Sequence, residues 1–317
     1  MAHSEIDWNT GNKSALVSIG THKLYLQASG PDRKPGEPIV LLMQGLGSTL
    51  DEWVAVERYV TPFARWLCYD RSGYARSEDL PEKPEVASAV SAATELDTLL
   101  TNAGVEGPFI VVCHSYGGIT AREFYHLRLK DVVGMVFVDA NTEKTLGAAG
   151  EWPLPYFEAV TANVDYLDVT GLAAGCVLSE EEMAVIGKQS ADLRGQATIA
   201  AEQKGFPGDL PVLAAKNHFE QKILGDKPIS VIRANTPRDF QRMYDAGVAL
   251  GNGTEEERKL TRDFLARFEE DDERNQKETL TLSSVSHYVQ AASGHNVQMV
   301  QPDLIAEEVK RVWDRVV

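Results

Sequence analysis

"FIVVCHSYGGIT", residues 109–120, is the stretch on which the fold turns. Phe109 to Cys113 form an apolar run of the kind carried by a strand covered on both faces. From Tyr116 onward the chain reads as a helix, "YGGITAREFYH". Ser115 therefore stands at a sharp strand-to-helix junction. A turn this tight predicts positive φ at the serine, a strain of about 1–3 kcal/mol. It also demands small residues two positions away on each side, because strand and helix come close together. Gly117 meets that demand and Cys113 meets it less well. The pattern is Cys-x-Ser-x-Gly, one residue away from Gly-x-Ser-x-Gly.

Outward from this junction, strand and helix signals alternate. "SALVSIGTHKLYLQASG" reads as a hairpin of two edge strands around Gly20-Thr21, and "PIVLLMQG" (38–45) and "FARWLCYD" (63–70) as buried strands. "LDEWVAVERYV" (50–60) has helical spacing, and "EVASAVSAATELDTLLTNAG" (85–104) is an amphipathic helix closed by Gly104. "VVGMVFVDA" (132–140) is the next strand. This β-α-β rhythm predicts a mostly parallel sheet with helices on both faces, an α/β class. Ligands of such sheets bind beyond the C-terminal ends of the strands, so functional residues are expected just after each run.

The rhythm breaks between 146 and 225, where helices joined by Gly and Pro turns are expected to form a cap on the core. The core is then 1–145 and 226–317. Strands resume at "KPISVIRANT" (227–236) and "SVSHYVQAAS" (284–293), and "PDLIAEEVKRVWDRVV" closes the chain as an amphipathic helix. The charged stretch between those strands, "TEEERKLTRDFLARFEEDDERNQKE", reads as a solvated helix face.

The 317 residues carry a formal net charge of −16, which disfavours nucleic acid and anionic lipid as partners. No run of eighteen apolar residues predicts a membrane span, and the N-terminus has neither the basic start nor the apolar stretch of a secretory signal. Three scattered cysteines, Cys68, Cys113 and Cys176, fit thiols in a reducing cytoplasm better than a disulfide framework. No residue spacing points to a metal, and no glycine pattern to a dinucleotide, so no cofactor is expected.

Five stretches in this order resemble the α/β-hydrolase family. "CHSYGG" is similar to its nucleophile elbow, "LMQGLGST" to its oxyanion loop, and "YDRSGYARSE" to the stretch after its fourth strand. "MVFVDAN" is similar to the sixth strand, and "AASGHNVQMVQPDLIAEEV" to the histidine loop and last helix. The resemblance implies an esterase-like or lipase-like fold with a cap and a Ser-His-acid triad. Ser115 would be the nucleophile and His295 the base that activates it. Leu46 and Tyr116 would donate the two oxyanion-hole N–H groups, with Gln44 orienting the loop and Asp70, Arg71 and Gly73 bracing loops around the site.

The acid departs from the commonest family pattern, which places it after the seventh strand. Asp139, at the tip of the sixth, is the first choice; Asp239 and Glu143 are the alternatives. Cys113, inside the strand, is a buried thiol. Trp152, Pro153, Leu154, Tyr156 and Phe157 read equally as cap packing or as a pocket wall for an apolar acyl or ring group.

The expected reaction is hydrolysis of an ester, thioester, lactone or amide of a small-molecule substrate through an acyl-enzyme. A serine at this position argues against the family's epoxide hydrolases and haloalkane dehalogenases, which use a carboxylate there. An acyltransferase or lyase keeps the same triad, and a non-catalytic ligand receptor keeps only the fold.

Overall fold

Ile39–Met43, Phe109–His114 and Val132–Val138 present apolar side chains on both faces, and each becomes an interior strand. The computed structural model describes residues 6–82, 84–146 and 153–317. Its eight strands are β1 (Lys13–Ser18), β2 (Lys23–Ser29), β3 (Ile39–Met43), β4 (Arg65–Tyr69), β5 (Phe109–His114), β6 (Val132–Val138), β7 (Ile229–Arg233) and β8 (Ser286–Gln290). They form one sheet in the order β1-β2-β4-β3-β5-β6-β7-β8. The pairs β1·β2 and β2·β4 are antiparallel and the rest are parallel. The predicted hairpin is present, but only its first strand is an edge. The second pairs with β4 through Leu26–Ser29, which explains why Leu24, Leu26 and Ala28 are buried.

Thirteen helices lie among the described residues. The first three are α1 (Val54–Val60), α2 (Ala89–Ala103) and α3 (Gly117–Leu127), each in a crossover between parallel strands or beside one. Ser88 caps α2 by accepting the Ser91 N–H, so the helix starts later than the apolar pattern implies; Gly104 ends it in the left-handed region. Six helices fall between β6 and β7: α4 (Pro155–Thr161), α5 (Tyr166–Val169), α6 (Leu172–Gly175), α7 (Glu180–Ser190), α8 (Leu193–Ala214) and α9 (His218–Gln221). Two more, α10 (Thr236–Ala249) and α11 (Glu255–Thr279), fall between β7 and β8. The last are α12 (Val297–Val300) and α13 (Pro302–Val316).

The core divides at the sheet. On one face α2 and α3 bring Leu96, Leu99, Leu100 and Phe124 against Leu41, Met43 and Val111. On the other, α1 and α13 bring Val56, Ile305 and Val309 against Val40, Leu42 and Val112. Alternate residues of β3 and β5 thus serve opposite cores, which is why neither strand shows hydrophobic alternation. Both layers leave the C-terminal edge of β3, β5, β6 and β7 for loops, and the candidate site sits there.

α8 departs from its sequence signal. Pro207 and Pro211 lie inside it, and a Pro in a helix interior costs about 3 kcal/mol or more. The Gly and Pro positions read as turns are instead part of one helix of 22 residues, held by docking on the core.

Candidate active site

Ser115 joins β5 to α3 with φ of +52°, a left-handed conformation that L-residues avoid. Its backbone is held from three sides. The N–H donates to Val138 O (3.3 Å), and the carbonyl accepts from Asn141 N (2.8 Å) and Gly118 N (2.9 Å). At Gly117 a Cβ would lie 2.2 Å from Met43 O, so only glycine fits between α3 and the end of β3. The cysteine two residues before the serine does fit. Cys113 is fully buried with its Sγ 3.7 Å from Val136 O, and burial pushes its thiol pKa up, leaving it inert.

His295 lies in the loop between β8 and α12, and its Nδ1 is 2.6 Å from Asp139 Oδ2. Asp139, at the end of β6, has φ of +42° and is buried. Its carboxylate also accepts from Thr236 Oγ1 (2.7 Å) and from Ala234 N (3.0 Å). Burial alone would raise the pKa of this acid; the hydrogen bond and charge of His295, with Thr236 and Ala234, outweigh it and hold it below 3.8. The two alternative acids are engaged elsewhere. Glu143 pairs with buried Arg122, and Asp239 pairs with Arg238 while packing its carboxylate against Gly294.

His114 points beneath the histidine loop. Its Nε2 donates to His295 O at 3.0 Å, and the two rings lie 4.6 Å apart between centroids. Burial, helped by the nearby His295, pushes its pKa down to about 3, so it is neutral at pH 7. The remaining described histidines lie elsewhere: His22 bonds Ser72, His287 meets Glu308, and His126 stacks on His218.

The Ser115 hydroxyl donates to Asn141 Oδ1 at 3.4 Å, and His295 is not its hydrogen-bond partner. Asn141 and Thr236 escaped the sequence reading, since nothing in "VDAN" or "ANT" says which way these short side chains turn. Gln44 does anchor its loop, through Nε2 to Tyr69 O (2.5 Å). Asp70 accepts from Leu50 N, and Arg71 donates to Gln44 O and Gly45 O. Among the described residues, the N–H groups of Leu46 and Tyr116 have no hydrogen-bond partner.

Ser115, His295, Asp139, Leu46 and Tyr116 line one cavity of about 440 Å³. Its apolar wall includes Leu154, Phe206, Phe240, Phe264 and Phe268. Phe157 stands behind that wall, 5.1 Å from Phe240 between ring centroids; Trp152 lies outside the described residues. The charged stretch is thus more than a solvated face. α11 turns Phe264, Phe268, Asp272 and Gln276 toward the cavity, and its Arg267, Asp271 and Arg274 also line it. Arg233 at the end of β7 fixes it there through Asp272 (2.7 Å). Among the described residues no cluster of His, Cys, Asp or Glu is arranged to hold a metal ion. None of their helices is long and apolar enough to cross a membrane.

Residues 39–308 match the Alpha/beta hydrolase family. The chain is 35% identical over 316 residues to an "AB hydrolase superfamily protein" of Gibberella zeae, covering 95% of each chain. It is 32% identical over 313 residues to the "Probable transporter efuK" of Hormonema carpetanum, covering 97% of this chain but only 44% of that one. Solved structures with the same fold include a serine hydrolase involved in carbazole degradation (TM-score 0.60, 12% identity, 96% of this chain and 100% of that one). Another is the haloalkane dehalogenase DbeA of Bradyrhizobium elkani (TM-score 0.62, 16% identity, 96% of this chain and 98% of that one). With its strand order, its serine elbow and a family match spanning most of its length, the chain belongs to the alpha/beta hydrolase family.

Proposed function

We propose that this protein is a serine hydrolase that cleaves an ester, thioester, lactone or amide bearing an apolar acyl or ring group, by way of an acyl-enzyme. One observation carries the reading. A serine presented at positive φ and a histidine bonded through Nδ1 to a buried aspartate open into the same aromatic-walled cavity.

With Nδ1–H donated to Asp139, the His295 Nε2 carries the lone pair and acts as base. Attack requires the Ser115 hydroxyl to leave Asn141 and turn to the imidazole, a side-chain rotation. Ser115 Oγ then bonds the substrate carbonyl carbon, and its proton passes to His295 Nε2. The carbonyl oxygen becomes an oxyanion received by the free N–H groups of Leu46 and Tyr116. Collapse expels the leaving group, which takes the proton from His295. Water repeats the sequence on the acyl-enzyme and releases the acid. Asp139 stays ionised throughout and stabilises the imidazolium. The helices between β6 and β7, with α10 and α11, act as the cap that shapes the pocket.

The test is steady-state hydrolysis of p-nitrophenyl esters of increasing acyl length and of matched thioesters. The wild type is expected to turn over the apolar members, and Ser115→Ala to lose at least about 10³-fold in kcat. A folded wild type inert toward the whole series, or a Ser115→Ala variant as active as the wild type, contradicts the proposal.

A further inference from the structure

α8 carries two buried carboxylates, Glu202 and Asp209, on one face. They are seven residues apart, two helical turns, with Gly205 and Phe206 between them on the same side. Buried carboxylates are costly unless paired and hydrogen-bonded. Both are fully engaged, and each ends on a different half of the proposed oxyanion hole.

Glu202 holds the loop that contains Leu46. Its Oε1 and Oε2 take Arg71 Nε (2.9 Å) and a terminal guanidinium nitrogen (3.0 Å). That guanidinium donates onward to Gln44 O (3.0 Å) and Gly45 O (2.9 Å), the two carbonyls just before Leu46. Glu202 Oε2 also accepts from Tyr74 OH (2.7 Å), and Tyr74 OH accepts from Gly47 N (3.3 Å), just after Leu46. Asp209 holds the other half. Its Oδ2 accepts from Tyr116 OH (2.8 Å), its Oδ1 from Ala89 N at the start of α2 (3.0 Å), and Phe206 meets the Tyr116 ring edge-on. At Gly205 a Cβ would lie 1.8 Å from Ala87 O, so α8 is seated directly on the core between the two carboxylates.

Resting on the serine hydrolase reading, we propose that α8 sets the oxyanion hole, with Glu202 and Asp209 as positioning residues that act through Arg71, Tyr74 and Tyr116. An oxyanion hole works only if its donors are held where the negative charge will develop, and here one helix face holds both. Docking of α8 and assembly of the hole are therefore one event.

The variants Glu202→Gln and Asp209→Asn keep shape and remove charge. Each is expected to lower kcat about 10–100-fold while KM stays near the wild-type value. Affinity for a trifluoromethyl ketone, which forms a tetrahedral adduct on the serine, falls in proportion to kcat/KM. The pH at which activity sets in does not move, because His295 is untouched. Hydrogen exchange of residues 44–49 rises in Glu202→Gln, and that of the His295 loop stays unchanged. Should Glu202→Gln fail to fold, Tyr74→Phe removes a single hydroxyl of the same network and is expected to show the same pattern in weaker form. Wild-type kcat together with unchanged exchange over residues 44–49 in these variants overturns the inference. A wild type that neither hydrolyses esters nor reacts with fluorophosphonate sinks the hydrolase reading instead. The exchange measurement then still shows whether Glu202 positions the loop.

Discussion

His295 is pulled two ways. Burial lowers its affinity for a proton, but the hydrogen bond and charge of Asp139, with Asp239 and Asp272 nearby, win and place its pKa above 6.5. A base must be neutral to act, so kcat/KM is expected to rise with pH through one ionisation above 6.5. Asp139→Asn removes the partner; its kcat is expected to fall about 10³–10⁴-fold. The linkage signs follow. The raised His295 pKa contributes stability that is full below 6.5 and is lost as pH rises through the folded-state value. The lowered Asp139 pKa contributes stability present above 3.8 and lost as pH falls through its own folded-state value. Urea unfolding at several pH values is therefore expected to show the largest gap between wild type and Asp139→Asn between those limits. A gap that does not vary with pH contradicts the pairing. Ser115, His295 and Asp139 could be singled out from sequence because each stands just after a strand signal, in a stretch that resembles the family's elbow, histidine loop or sixth strand. His114, next to the serine, is expected to point away from it, but its bond to His295 O, 181 residues on, and the bond of Ser115 to Asn141, 26 residues on, follow from no local pattern.

The elbow is an element-scale device, and its cost can be measured. Ser115→Gly and Ser115→Ala both lack the hydroxyl, but only glycine relaxes at φ of +52°. Ser115→Gly is expected to be about 1 kcal/mol more stable than Ser115→Ala in urea unfolding; equal stabilities would show that the turn is unstrained. Gly117→Ala drives a methyl group into Met43 O, which is backbone and cannot swing away. It is expected to destabilise by about 1–3 kcal/mol. The strands were legible because an apolar run bounded by turn residues has few other readings. α8 was not, because its two prolines argue for breaks and its helical state comes from docking that no local pattern encodes.

Across the whole molecule, the sheet places the proposed triad at its C-terminal edge, and the long excursions after β6 and β7 line the cavity into which it opens. The second excursion was misread as surface because its charges outnumber its aromatics. Yet Phe264 and Phe268, four residues apart, fall on one helical side and line the cavity. Phe264→Ala and Phe268→Ala are expected to cut kcat/KM for long-chain or aryl esters about 10-fold more than for acetate; equal losses for all esters would mean that these rings hold the fold and not the substrate. The central claim is that one serine is the nucleophile. Its most direct test is intact-mass and peptide-mapping analysis of the protein after reaction with a fluorophosphonate. The expected result is a single adduct on Ser115 and none on folded Ser115→Ala. An adduct on another residue, or an unreacted folded wild type, contradicts it.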